Sequence, residues 1–450
     1  MNIEFEWQII EGEGKELETI ASPPEERPKR RLPKWLIALI GVPLVVVVIL
    51  GAYMVWTYRT QLNRVTREVS LVAKAEARAV AANDQESFMA LQDPNDAAWR
   101  TMQERRFGRL ERTGIPEFGL RAMSAAPQSG TVSLEPGGAR LDMTYQFSVT
   151  QPMPSGPVSV TLRVPQFYRQ TPSGWVHSQP NAEFWGSRRS LSSKRVLVLY
   201  SRRDADIVEP LVPHMAQILE RACVTLTCPP QVTVTFETSP EPAGYWGIST
   251  YSFDESGFTL RLASPYLSGL PVDAASRDEL YRAVEARLVR GLVAASWPGQ
   301  RPSRNSAAYQ QLMRWHLAQA GLAGPFITPE ITHTLITAMH TGTWQPLNAI
   351  PLQVRSSGTD EAMISLAFAF LTERVGIDSL SRLTPAMASS TTLGEAIRTT
   401  LRVSPTTLES DWQVFLRKQA GLSSIAKWDT QQDGQVSLLG NWSLSVEGLA

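Results

Sequence analysis

Five histidines, two cysteines and a scatter of carboxylates are the side chains of this 450-residue chain that could carry chemistry. The histidines are His177, His214, His316, His333 and His340, and no two stand four apart, the spacing that brings two imidazoles of one helix onto one metal ion. His333 and His340 share a helix face in THTLITAMH, but two turns separate them, roughly 10.5 Å of rise and too far for a single ion. No G-x-S-x-G elbow offers a serine nucleophile, and no glycine loop is set to cradle a phosphate. Cys223 and Cys228 lie in ERACVTLTCPP without another Cys or His to complete a redox or metal set, so a short-loop disulfide is expected, with two free thiols as the alternative. Glu285, in VEARL beside Arg282 and Arg287, reads as a polar position on an amphipathic helix. The residues alone point to no metal and no cofactor.

The elements that position these residues start with WLIALIGVPLVVVVILGAYMVWTY, Trp35 to Tyr58, which carries no charge. As a helix it is roughly 36 Å long, enough to cross a ~30 Å hydrocarbon core. Trp35, Trp56 and Tyr58 sit where interfacial aromatics belong, and no small-residue cleavage site follows, so an uncleaved single-pass anchor over 34–58 is expected. Arg27, Lys29, Arg30, Arg31 and Lys34 precede it, against Arg59, Arg64 and Arg67 after it, which predicts a cytoplasmic N-terminus with the C-terminal domains extracytoplasmic. Residues 1–33 are rich in glutamate and read as a disordered acidic tail. The net charge is zero and the basic residues are scattered, which sets nucleic acid aside as a partner.

From 59 to 190 the pattern is helical, broken at Asp93-Pro94, then alternates as strands with turns at Pro136-Gly137-Gly138 and Pro172-Ser173-Gly174: a small α+β domain. A second unit, 191–423, opens with RVLVLYS, the helix ADIVEPLVPHMAQILERAC, QVTVTFE and a hairpin at Asp254-Glu255-Ser256-Gly257, then turns helical. Ser276 and Glu279 form an expected capping box, and Thr328-Pro329 and Ser404-Pro405 each put a cap before proline at the first helical position. Gly376 and Gly421 are placed at helix ends, and 424–450 is left as a C-terminal extension.

The stretch ending in FYRQTPSGWVHSQPNAEFWG resembles the nuclear-transport-factor-two-like cone fold. That resemblance implies a ligand mouth in which Trp175, Phe184 and Trp185 could stand, but aromatic residues on a strand face read first as core, and no ligand is assigned there.

The C-terminal third, clearest at FAFLTERVGIDSLSRLTPAMASSTTLGEAIRTTLRVSPTTLESDWQVFLRKQ, resembles the gluzincin-type, peptidase MA-like zinc metallopeptidases. The matching positions, Gly376, Leu380, Leu383, Leu393, Ala396, Leu408, Glu409 and Trp412, are scaffold. Such enzymes need H-E-x-x-H on one helix and a later glutamate ligand. Here Val284 and Leu288 stand where the resemblance expects the histidines, and Glu285 matches the general base as a vestige. Trp315, in LMRWHLA, stands at the glutamate ligand, with His316 next to it. Three side chains without a usable lone pair cannot hold zinc, which implies a pseudopeptidase that acts by binding a peptide or protein. Its expected cleft lies between the strands at 231–263 and the helices at 276–323, with Glu285, Trp315 and His316 facing it. The alternatives are an active zinc peptidase with unconventional ligands and a transmembrane signal transducer working through the acidic tail.

Overall fold

The charge-free stretch Trp35–Tyr58 lies within helix α1, Lys34–Ala81, whose 48 residues run well past the expected end of the span at Tyr58. The computed structural model describes residues 34–107, 114–115, 120–122, 129–149, 159–238, 250–254, 257–297, 306–353, 358–401 and 403–421. The expected acidic tail 1–33 and extension 424–450 lie outside them. Compact units divide at Gln61 and Leu62. In the first, Val45–Leu50, Tyr53–Trp56 and Tyr58 are exposed, so α1 is long and apolar enough to cross a membrane and presents that surface outward.

The second unit is mixed α+β. The helical stretch after the span breaks earlier than Asp93-Pro94: Asn83, at φ 53°, ends α1, and the side chain of Asp84 accepts from Ser87 N to start α2, Gln85–Ala90. Helix α3, Ala97–Phe107, follows Pro94. Strands β1 (Gly114–Ile115), β2 (Leu120–Ala122), β3 (Ser129–Glu135), β4 (Gly138–Val149), β5 (Ser159–Thr171) and β6 (Gly174–Ser178) make an antiparallel sheet with both expected turns in place. β4 and β5 are its centre, with β2 and β3 along one flank of the pair and β6 on the other.

After a helical turn, α4 (Ala182–Trp185), a second sheet is built from β7 (Arg188–Ser193), β8 (Val196–Ser201), β9 (Val232–Glu237), β10 (Thr250–Asp254) and β11 (Gly257–Ala263), in the order β10-β11-β9-β8-β7. β8, β9 and β11 are parallel, and helix α5, Ala205–Ala222, makes the β8-to-β9 crossover. β7 was not foreseen: its six residues alternate no apolar face, yet it pairs antiparallel with β8, and the expected boundary at 190 falls inside it.

The two sheets interlock. After α6 (Pro265–Ser268), β12 (Leu270–Pro271) returns to pair with β5 of the first sheet. Helix α7, Ala274–Ser296, is capped by Asp273, whose side chain accepts from Ser276 N at 2.7 Å, and not by the Ser276–Glu279 box. Ser276 instead accepts from Thr161 N of β5 at 3.0 Å, and Glu279 pairs with Arg282, so the serine fastens α7 to the first sheet. The remaining helices are α8 (Ala307–Gln319), α9 (Pro329–Thr341), α10 (Gly358–Arg374), α11 (Ser379–Ser389), α12 (Leu393–Leu401) and α13 (Pro405–Gln419). Thr328 caps α9 as expected, whereas Ser404 makes no capping bond. One continuous apolar core runs from β8 through α5, α7 and α8 to Trp412 of α13.

Candidate functional site

Helix α7 lies against β11 so closely that a Cβ on Gly291 would stand 2.6 Å from Cζ of Phe258. Its periodicity then decides which side chains enter the core. Val284 and Leu288, one turn apart, are 2% and 0% exposed, and Trp315 of α8 is 1% exposed; all three belong to the same core cluster. Hydrocarbon and an indole fill the positions where zinc ligands were expected. Among the described residues no group of three or more His, Cys, Asp or Glu could hold a metal ion.

The three residues expected to face an open cleft do not form one. Trp315 is core, and His316 is 2% exposed. The hydroxyl of Thr225 donates to Ala222 O, so His316 Nδ1, 3.1 Å away, supplies the proton of the Thr225 contact. Burial holds this imidazole neutral and pushes its pKa down to about 3. Thr225 lies inside the loop closed by the Cys223–Cys228 disulfide, so His316 pins that loop to α8.

Glu285 points elsewhere, toward α5. Its carboxylate lies 3.6 Å from Nδ1 of His214, and the His214 ring stands 5.3 Å from that of Tyr281, whose hydroxyl donates to Ile207 O. Burial pushes the Glu285 carboxyl up to about 7, against the opposing pull of Arg221 and Arg282. A carboxyl poised near neutrality beside an imidazole can exchange a proton, but no metal-ligating partner accompanies it among the described residues.

Two polar clusters were missed. At the carboxyl ends of β8 and β11, Ser201 and Ser264 donate to buried Asp204 at 2.7 and 2.6 Å, tying the two strands together; burial raises the Asp204 pKa. In the first sheet, Glu76 of α1 accepts from Gln92 Nε2 at 3.0 Å and meets His177 Nδ1 at 2.7 Å, while Trp99 Nε1 donates to Gln92 Oε1 and to His177 O. Trp175 donates to Glu68, and Trp185 is core. No local sequence signal links residues so far apart; the one hint is that Glu68 and Glu76 recur on one face of α1. Leu380, Leu383, Leu393, Ala396, Leu408 and Trp412 are buried, and Glu409 accepts from Leu347 N at 3.0 Å. Comparison with family models, curated proteins and solved structures finds no match to this chain.

Proposed function

We propose that this is a single-span membrane protein whose large C-terminal portion lies outside the cytoplasm and binds a peptide or protein through a peptidase MA-like scaffold that does no zinc chemistry. The observation that carries the reading is the burial of Val284, Leu288 and Trp315 in one apolar core. Without a metal, Glu285 has neither a low-pKa water to activate nor an electrophile to polarise a carbonyl. The Cys223–Cys228 disulfide supports placement in an oxidising compartment.

With Trp315 and His316 buried, the accessible part of the expected cleft is the strand side. β10 is the outermost described strand next to β11, and Phe253 on it is exposed. An extended peptide added along this edge would gain main-chain hydrogen bonds, with Phe253 as an apolar anchor.

Elemental analysis of the full chain, purified in detergent from zinc-supplemented culture, tests the first half of the reading: zinc well below one per chain is expected, and one zinc per chain refutes it. The second half predicts that peptides selected against the chain lose about tenfold in affinity on Phe253→Ala, or ~1.4 kcal/mol. Selected peptides indifferent to that change would place binding elsewhere.

A further inference from the structure

On the first sheet, away from α7 and α8, a preformed cleft of ≈ 170 Å³ opens between the β3–β4 turn, the ends of β5 and β6, and the chain around Asp93 and Asp96. Its walls are fixed by hydrogen bonds. His177 N donates to Leu91 O and Asp93 N to His177 O, both at 2.8 Å, which lays residues 91–93 along β6. Asn181 Nδ2 donates to Pro136 O at 3.3 Å and holds the β3–β4 turn. A Cβ on Gly138 would meet Tyr168 O at 2.4 Å, so the turn cannot be enlarged on that side.

The formal charges of the lining are one-sided: Asp93, Asp96 and Glu135 stand against Arg169 alone. Gln179 Nε2 donates to Asp96 Oδ2 at 2.5 Å, Asn181 Nδ2 donates to Pro136 O, and the Arg169 guanidinium pairs with buried Asp93. The carboxylates keep lone pairs to spare, since each oxygen can accept more than one bond. Glu135 is paired with Arg140, which also serves Asp142. Asp96 is bonded by uncharged amides alone, Trp99 N at 2.9 Å and Gln179, and makes no ion pair with a described residue. Phe167 and Phe184, in edge-to-face contact at 4.8 Å, supply an aromatic wall. Phe184 already takes a cation: the Arg203 guanidinium lies 4.6 Å from its ring centre.

We infer that this cleft binds a guanidinium or alkylammonium group, held by Asp96 and Glu135 against the Phe167–Phe184 wall. An anion would face three carboxylates, Asp93, Asp96 and Glu135, against one guanidinium, Arg169, in the lining, and a purely apolar group would strand the carboxylates. The size agrees: a cavity of about 150 Å³ accommodates benzene, and a guanidinium on a short alkyl stem is of that order. Such a group reaches the cleft either on a small free amine or on the arginine side chain of a peptide.

The test is calorimetric titration of the full chain in nanodiscs with agmatine, with a blocked Gly-Gly-Arg-Gly-Gly peptide, and with glutarate as an anionic control. Agmatine is expected to bind and glutarate not to bind. Agmatine affinity should fall at least tenfold in Asp96→Asn, because asparagine keeps the α3 cap, and Gln179 restores its bond by flipping its amide. Phe184→Leu, with every carboxylate intact, should weaken agmatine by a smaller factor, and an unchanged melting profile confirms that each variant is folded. If the peptide binds as well as agmatine, the physiological group is a basic side chain; if agmatine alone binds, it is a small amine. No agmatine binding up to about 10 mM, or equal affinity in wild type and both variants, overturns the inference.

Discussion

The first sheet and the helices beyond the second sheet solve the same problem, how to fill an interior, in opposite ways. Where α1 packs on the first sheet the apolar clusters are small, such as Val69, Ala139, Leu141, Met143 and Tyr168, and a set of buried polar partners accompanies them: Glu76, Gln92, Trp99 and His177. Beyond the second sheet, one apolar cluster extends through α5, α7, α8, α10 and α13, and hydrocarbon occupies the positions where the resemblance expected zinc ligands. A polar interior is specified by pairing and an apolar one by volume, so the two regions should break differently.

The largest break is expected at Trp315. Replacing this fully buried indole by alanine removes the side chain and leaves a cavity that α7 and α8 cannot wholly close, so stability should fall by about 3–5 kcal/mol. Denaturant unfolding of the full chain in detergent measures it. A loss below ~1 kcal/mol would show that the site is loosely packed and would reopen it as a cleft.

The polar region should fail by a different rule. Glu76→Ala leaves His177 Nδ1 buried without this acceptor and Gln92 Nε2 with only its longer bond to Phe88 O, at a cost of about 2–4 kcal/mol. Replacing both members of the contact, Glu76→Leu with His177→Phe, should recover part of that loss, because Trp99 and Tyr168 already pack against the His177 ring. If the double variant is as unstable as the sum of its singles, the pair is not the coupled unit described above.

How much of this was legible follows from the same contrast. The apolar span, the β8–α5–β9 crossover, both turns of the first sheet and the short disulfide loop are local patterns, and the sequence carries them in full. β7 was hidden because RRSLSS, a mostly exposed edge strand, buries no alternating face. Ser276 was misread because its helix cap competes with a bond to Thr161, 115 residues away. His177 and Glu76 stand 101 residues apart and share no motif. Trp315 and His316 were correctly placed on a helix, but only packing decides that both faces of α8 at that turn are buried.

The smallest effect tests how far titration reaches into the apolar region, through two of its ionisable side chains, Glu285 and His316. Glu285 titrates near 4.5 when unfolded and about 7 when folded, so its protonated form favours the fold: that contribution is complete below pH 4.5 and is lost as pH rises to about 7. His316 runs the other way. Its pKa falls from 6.5 unfolded to about 3 folded, so its contribution is complete above pH 6.5 and is lost as pH drops toward 3. Between pH 4.5 and 6.5 the slopes are each about 1.4 kcal/mol per pH unit and opposite in sign, so the wild-type chain should show little net dependence from this pair. Glu285→Gln removes one slope and leaves the other. Its unfolding free energy, measured in steps across that window, should fall relative to wild type by about 1.4 kcal/mol for each unit of acidification. Parallel profiles for variant and wild type would mean that the Glu285 carboxyl is better solvated beside His214 and Arg221 than its burial implies, and that α7 presents an ordinary surface acid there.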